Sequence, residues 1–143
     1  MLELPLRGPR LTSQDAQALA SQALAAGRTR ELSIAAAVVD AGGHLLAFIR
    51  DDKAFLGAIE AAVAKARTAV YFRRDTAAMQ QGLEQGKTAY LALKDALPLE
   101  GGVPLYLHGE VVGAVGISGA ASAQDGELAR TVAAELGFTQ GKA

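Results

Sequence analysis

Two Gly-Gly pairs, each belonging to a strand–turn–strand segment that leads on to a helix, constrain this chain more than any other feature. The first segment runs Val38-Val39-Asp40-Ala41-Gly42-Gly43-His44-Leu45-Leu46-Ala47-Phe48-Ile49-Arg50. The second opens Gly101-Gly102-Val103-Pro104 and returns through Gly109-Glu110-Val111-Val112-Gly113-Ala114-Val115-Gly116-Ile117-Ser118-Gly119. Strands joined by turns this short run antiparallel, so the sheet is at least partly antiparallel. Residues 33–39, Ser-Ile-Ala-Ala-Ala-Val-Val, are apolar on both alternating faces. Ile34, Ala36 and Val38 form one face, and Ala35, Ala37 and Val39 the other. Such a strand is covered on both sides.

Helices supply that cover. Thr12-x-x-Asp15 opens the first, a capping-box variant, and Gly27 is expected to close it. Residues 58–72 form a helix whose core face is Ile59, Ala62, Val63, Ala66 and Val70. Helical stretches follow over 76–85 and 87–96, the latter ended by Pro98. Ser122-x-x-Asp125 opens the last helix, which packs through Leu128, Val132 and Leu136. In the second ribbon Val103, Leu105 and Leu107 share a face, and Val111, Val115 and Ile117 share one with Gly113. The face of Ala114 and Gly116 is narrow enough for a helix to approach the backbone closely. A short fifth strand is expected near 96–99. The fold class is therefore α+β: one domain over 1–143, with an antiparallel or mixed sheet of about five strands and helices on its faces, layered in a profilin-like or PAS-like way.

Composition narrows the function. Half of the residues are hydrophobic but only 5% are aromatic, so alanine and glycine carry much of the packing. The net charge of −1 offers no general field for nucleic acid. No run of about 18 apolar residues is present to span a membrane. The first ten residues lack the apolar core of a secretory signal. There is no cysteine, hence no disulfide, thiolate metal site or thiol nucleophile. A cytoplasmic location is the expectation, with fraying over the first ten and last five residues.

At these motifs the chain resembles the GlcG/HbpS-like family, also known as the heme-degrading or DUF336 domain and found as the C-terminal domain of PduO-type proteins. Four blocks carry the resemblance: Val38 to Gly43; Arg50-x-Asp52 leading to Lys65-Ala66-x-Thr68-Ala69; Gly101-Gly102-Val103-Pro104; and Gly109 to Gly119 followed by Gln124-Asp125. The resemblance implies a homo-oligomer, in which dimers assemble into octamers, and a small-molecule ligand. In some members that ligand is heme or a related tetrapyrrole. The PduO-type domain holds heme through a histidine on its first helix, and residues 12–30 here contain none.

His44 and His108 are the imidazoles of the chain, and each falls at a turn, where a polar residue is ordinary. With Tyr71 and Tyr106 they are the remaining heme-ligand candidates. No metal set is apparent. Arg50, Asp51 and Asp52 cluster at a strand end, and Lys65 follows on the next helix. An arginine there suits a bidentate grip on a carboxylate, and a lysine beside a carboxylate suits proton transfer. A salt-bridge network is the plainer role for the same residues. Gly101, Gly102, Gly119 and Ser118 are placed to offer hydrogen-bond donors to a ligand carboxylate. Three readings stay open: an oligomeric small-ligand-binding protein with its pocket between subunits near Arg50, Lys65, Gly102 and Ser118; a cofactor-free isomerase or lyase acting on a small organic acid; and a non-catalytic assembly protein.

Overall fold

The computed structural model describes residues 8–139, so most of the fraying expected of the first ten and last five residues lies outside the described residues, while Thr139, inside them, is paired with Tyr106 instead. The elements are α1 (Ser13–Thr29), β1 (Ala35–Asp40), β2 (Leu45–Arg50), α2 (Gly57–Phe72), α3 (Thr76–Glu84), β3 (Gly102–Leu107), β4 (Glu110–Ser118) and α4 (Ser122–Glu135). The four strands form one antiparallel sheet in the order β2-β1-β4-β3. Helices α1 and α4 cover one face. Helix α2 covers the other, with α3 beside it at the β3 edge. The two-sided reading of β1 holds. Ile34, Ala36 and Val38 join the core under α1 and α4, while Ala35, Ala37 and Val39 join the core under α2.

Glycine sets the spacing of the α2 layer. A Cβ on Gly116 would collide with the carbonyl of Ala62 and the amide nitrogen of Ala66, and one on Gly102 with the carbonyl of Lys65. The narrow face expected on β4 is thus where α2 lies directly on strand backbone. The close fit matches the alanine-rich inner face of α2, where Ala58, Ala62, Ala66 and Ala69 are buried.

Several expectations are corrected. Among the described residues the sheet has four strands, and residues 96–99 do not form a fifth. The Leu97 N–H donates to the Thr68 hydroxyl at 2.9 Å and the Leu99 N–H to the Leu97 carbonyl, so neither is left for a ladder. The helix expected over 87–96 contracts to a 3-10 turn, Thr88–Ala92, and Asp95 breaks the run with a left-handed φ of 59°. Helix α1 runs past Gly27 to Thr29, and Glu31 takes the left-handed position (φ 60°). Gly27 serves packing instead, since a Cβ there would sit 3.0 Å from the Ile34 side chain. The Thr12 cap forms as expected, its hydroxyl accepting the Asp15 N–H at 3.0 Å. Ser122 is instead the first residue of α4 rather than its cap, and Gln124 accepts the Ala121 N–H. Finally, an irregularity in the β3–β4 pairing turns Val112, not Val111, toward Val115 and Ile117, while Val111 packs on the α2 side.

Candidate functional site

The structure divides the candidate residues between the two ends of the sheet. At one end Arg50, Ala35 and Ser118 lie in a single cross-strand row. Cross-strand partners share a face. Ala35 belongs to the core under α2, so Arg50 and Ser118 project to the α2 side. Helix α2 begins at that end. Its start has no side-chain cap, and the space beside Gly57 is open. Neither Arg50 nor Ser118 makes a side-chain hydrogen bond among the described residues.

Asp51 faces elsewhere. It is buried at 5% exposure and accepts Arg28 Nε at 2.9 Å and the Lys53 N–H at 3.1 Å. The Lys53 N–H and then the Arg28 guanidinium hold its carboxyl below the usual aspartate range. Asp52 and Lys53 join them around a polar cleft of about 390 Å³.

Lys65 finds a carboxylate, and it is Asp125 rather than Asp51 or Asp52. Its Nζ donates to Asp125 Oδ2 at 3.1 Å and to the Ile117 carbonyl at 3.0 Å, and the two side chains are 3% and 1% exposed. Asp125 also accepts the Ala120 N–H at 3.0 Å. Burial raises the Asp125 carboxyl above its ordinary value, while the Lys65 charge pulls it back. The lysine stem passes against Gly101, where φ is 138° and a Cβ would lie within 3 Å of Nζ. Glycine is required there both for the backbone conformation and for the passage. The pair ties α2 on one face of the sheet to α4 on the other.

Gly102 is occupied by packing and by Thr76, whose hydroxyl accepts its N–H at 2.9 Å. Gly119 lies at the Ser118 end, closely packed on Ser33. His44 and His108 sit at the opposite end of the sheet, on the exposed β1–β2 and β3–β4 turns. Asp40 organises the first of these turns by accepting the Gly42 and His44 N–H groups at 2.9 and 3.0 Å.

A second cleft, of about 490 Å³, runs along the outer face of α2 between Ile59, Val63, Ala64 and Arg67 and residues 95–97, so Ile59 and Val63, expected on the core face, are only half-buried and line this cleft instead. Thr68 builds its wall. The hydroxyl donates to the Ala64 carbonyl at 2.6 Å and holds residue 97 through its N–H. Arg67 Nε donates to the Gly43 carbonyl at 3.1 Å.

The model of the family described as "Haem degrading protein HbpS-like" matches residues 11–134. The chain belongs to the HbpS-like family. Among its relatives, Protein GlcG of Escherichia coli K12 is 40% identical over 106 residues, 71% of this chain and 79% of that protein. The crystal structure of HbpS superposes with a TM-score of 0.84 at 32% identity, covering 93% of this chain and 94% of that one. A crystal structure of a PduOC:heme complex superposes with a TM-score of 0.84 at 25% identity, covering 94% of this chain and all of that one. In this HbpS-like chain, sequence reasoning missed Arg28 and Arg67 as site-forming residues and Asp125 as the partner of Lys65. The spacing that explained Asp125 as a helix cap concealed its buried role. Nothing in the sequence connects Arg28 to Asp51 across the intervening strands. No described helix is long and apolar enough to cross a membrane.

Proposed function

We propose that this HbpS-like chain is a homo-oligomeric small-ligand-binding protein of a reducing, cytoplasmic compartment, and that its ligand is a small organic carboxylate received at the Arg50–Ser118 end of the sheet. One observation carries the reading. A guanidinium and a hydroxyl, neither engaged by another side chain, flank the uncapped start of α2 on one face. Arginine grips carboxylates bidentately, and the positive end of a helix favours an anion. The Lys65–Asp125 pair supports binding over proton transfer, because both groups are enclosed and already paired.

The heme of the PduOC relative tests whether a tetrapyrrole suits this chain. Iron needs an imidazole, thiolate, thioether or phenolate. The apolar cleft beside α2 is lined by none of these. His44 and His108 stand on separate turns at the far end of the sheet from Arg50. Of the phenols, Tyr106 is buried with its hydroxyl donating to the Arg73 carbonyl and Tyr71 is not in the cleft lining, so none of the four candidates fits a heme in that cleft within a single copy.

Calorimetric titration with glycolate and other short carboxylates is expected to give binding that weakens about 10- to 100-fold in Arg50→Ala, the worth of a charge-assisted hydrogen bond. Unchanged affinity in that variant, or no binding across the panel, overturns the carboxylate reading. Hemin is expected to give no Soret shift beyond that of free hemin. A shift abolished by His44→Ala or His108→Ala would replace the carboxylate with heme.

A further inference from the structure

The outward face of α2 and its N-cap residue Leu56 are mirror-patterned about the point between Val63 and Ala64. Leu56 and Tyr71, 75% and 48% exposed, stand equidistant from the point between Val63 and Ala64. Glu60 and Arg67 stand equidistant from the same point, closer in. Leu56, Glu60, Arg67 and Tyr71 fall on one stripe with the adjacent pair Val63 and Ala64 at its centre, each outer residue three or four positions from the next. Neither Glu60 nor Arg67 forms an ion pair among the described residues, and Arg67 is held at Nε alone, by the Gly43 carbonyl.

We propose that a second copy of the chain seats its α2 against this one, antiparallel and about a two-fold axis passing between Val63 and Ala64. In that register every feature meets its complement. Glu60 of each copy faces Arg67 of the other at two sites about 10 Å apart along the helix. Leu56 of each copy covers Tyr71 of the other, and the small Ala64 lets the helices approach at the crossing. The antiparallel arrangement also sets the helix dipoles head to tail. A two-fold contact demands this self-complementarity: residue i meets j and j meets i. The cleft along α2 then becomes the groove that receives the partner helix. Phe55, 73% exposed at the start of α2, extends the apolar contact. The inference rests on the homo-oligomer reading above and names its surface.

Charge reversal tests it by light scattering and sedimentation. The unaltered chain is expected to be a dimer or a multiple of dimers. Glu60→Arg alone sets two like charges face to face at both sites and is expected to weaken the two-fold contact at least about tenfold. Adding Arg67→Glu to it restores the contact. In a chain with no other cysteine, Ala64→Cys is expected to be joined to its own copy by a short bis-maleimide, and Ser21→Cys on α1 is not. A monomeric unaltered chain sinks both the oligomer and this surface. An unchanged assembly in Glu60→Arg, or no cross-link through Ala64→Cys, sinks the surface alone.

Discussion

Lys65 is enclosed with one carboxylate and one carbonyl in a space shaped by Gly101. Removing either charge strands the other without solvent. Lys65→Met or Asp125→Ala is therefore expected to lower unfolding free energy by about 3–5 kcal/mol, read from denaturant titration. Replacing both at once, Lys65→Met with Asp125→Leu, is expected to be less harmful than the two single changes added together, because no charge is left buried. A double variant as destabilised as the sum would show that the pair acts through geometry rather than compensation. The sequence announced a lysine with a carboxylate nearby. It could not tell which carboxylate, because Asp51 is close along the chain while Asp125 is close only once the sheet brings β4 and α4 to α2.

At the scale of elements, α2 against β4 is the decisive contact. Gly116→Val drives a branched side chain into the backbone of α2, and overpacking of this kind typically destabilises by about 1–3 kcal/mol or more. Gly57→Ala, facing open space, is expected to be neutral or slightly stabilising. Thermal melts of the two variants distinguish them, and equal losses would show that α2 does not ride on strand backbone. This contact was legible in advance, because a strand face of Ala114 and Gly116 next to an alanine-rich helix leaves room for little else. The two-faced burial of β1 was legible for the same reason: both of its periodic faces are apolar. The elements misread were those decided by distant partners. Thr68 takes the N–H that a fifth strand would have used. A pairing irregularity in β4 exchanges Val111 and Val112, and no alternation pattern reports such a slip. The polar residues at the Arg50 end could be singled out because they cluster along the chain. Arg28 was not, since its link to Asp51 spans two layers.

For the whole molecule, acid stability is set by carboxylates that pull in opposite senses. The carboxyl of Asp51 titrates lower folded than unfolded, so its contribution is present above the ordinary aspartate value near 3.8 and is lost as pH falls through the depressed one. The carboxyl of Asp125 titrates higher folded than unfolded, so its contribution is greatest below that ordinary value and is lost as pH rises through the elevated one. Asp51→Asn is expected to flatten the loss of stability below about pH 4, while Asp125→Asn flattens a decline on the other side of it. Denaturant midpoints measured from pH 3 to 8 check both slopes, and an Asp51→Asn chain that keeps the full acid-side loss would remove Arg28 and Lys53 as its origin.

The bare main chain beneath α2 has one more consequence. When two layers are held apart by peptide atoms alone, their distance does not depend on which side chains drift elsewhere. Surface and pocket chemistry are then free to diverge while the frame stays fixed, and three-quarters of the aligned positions can differ from PduOC with the superposition still at a TM-score of 0.84.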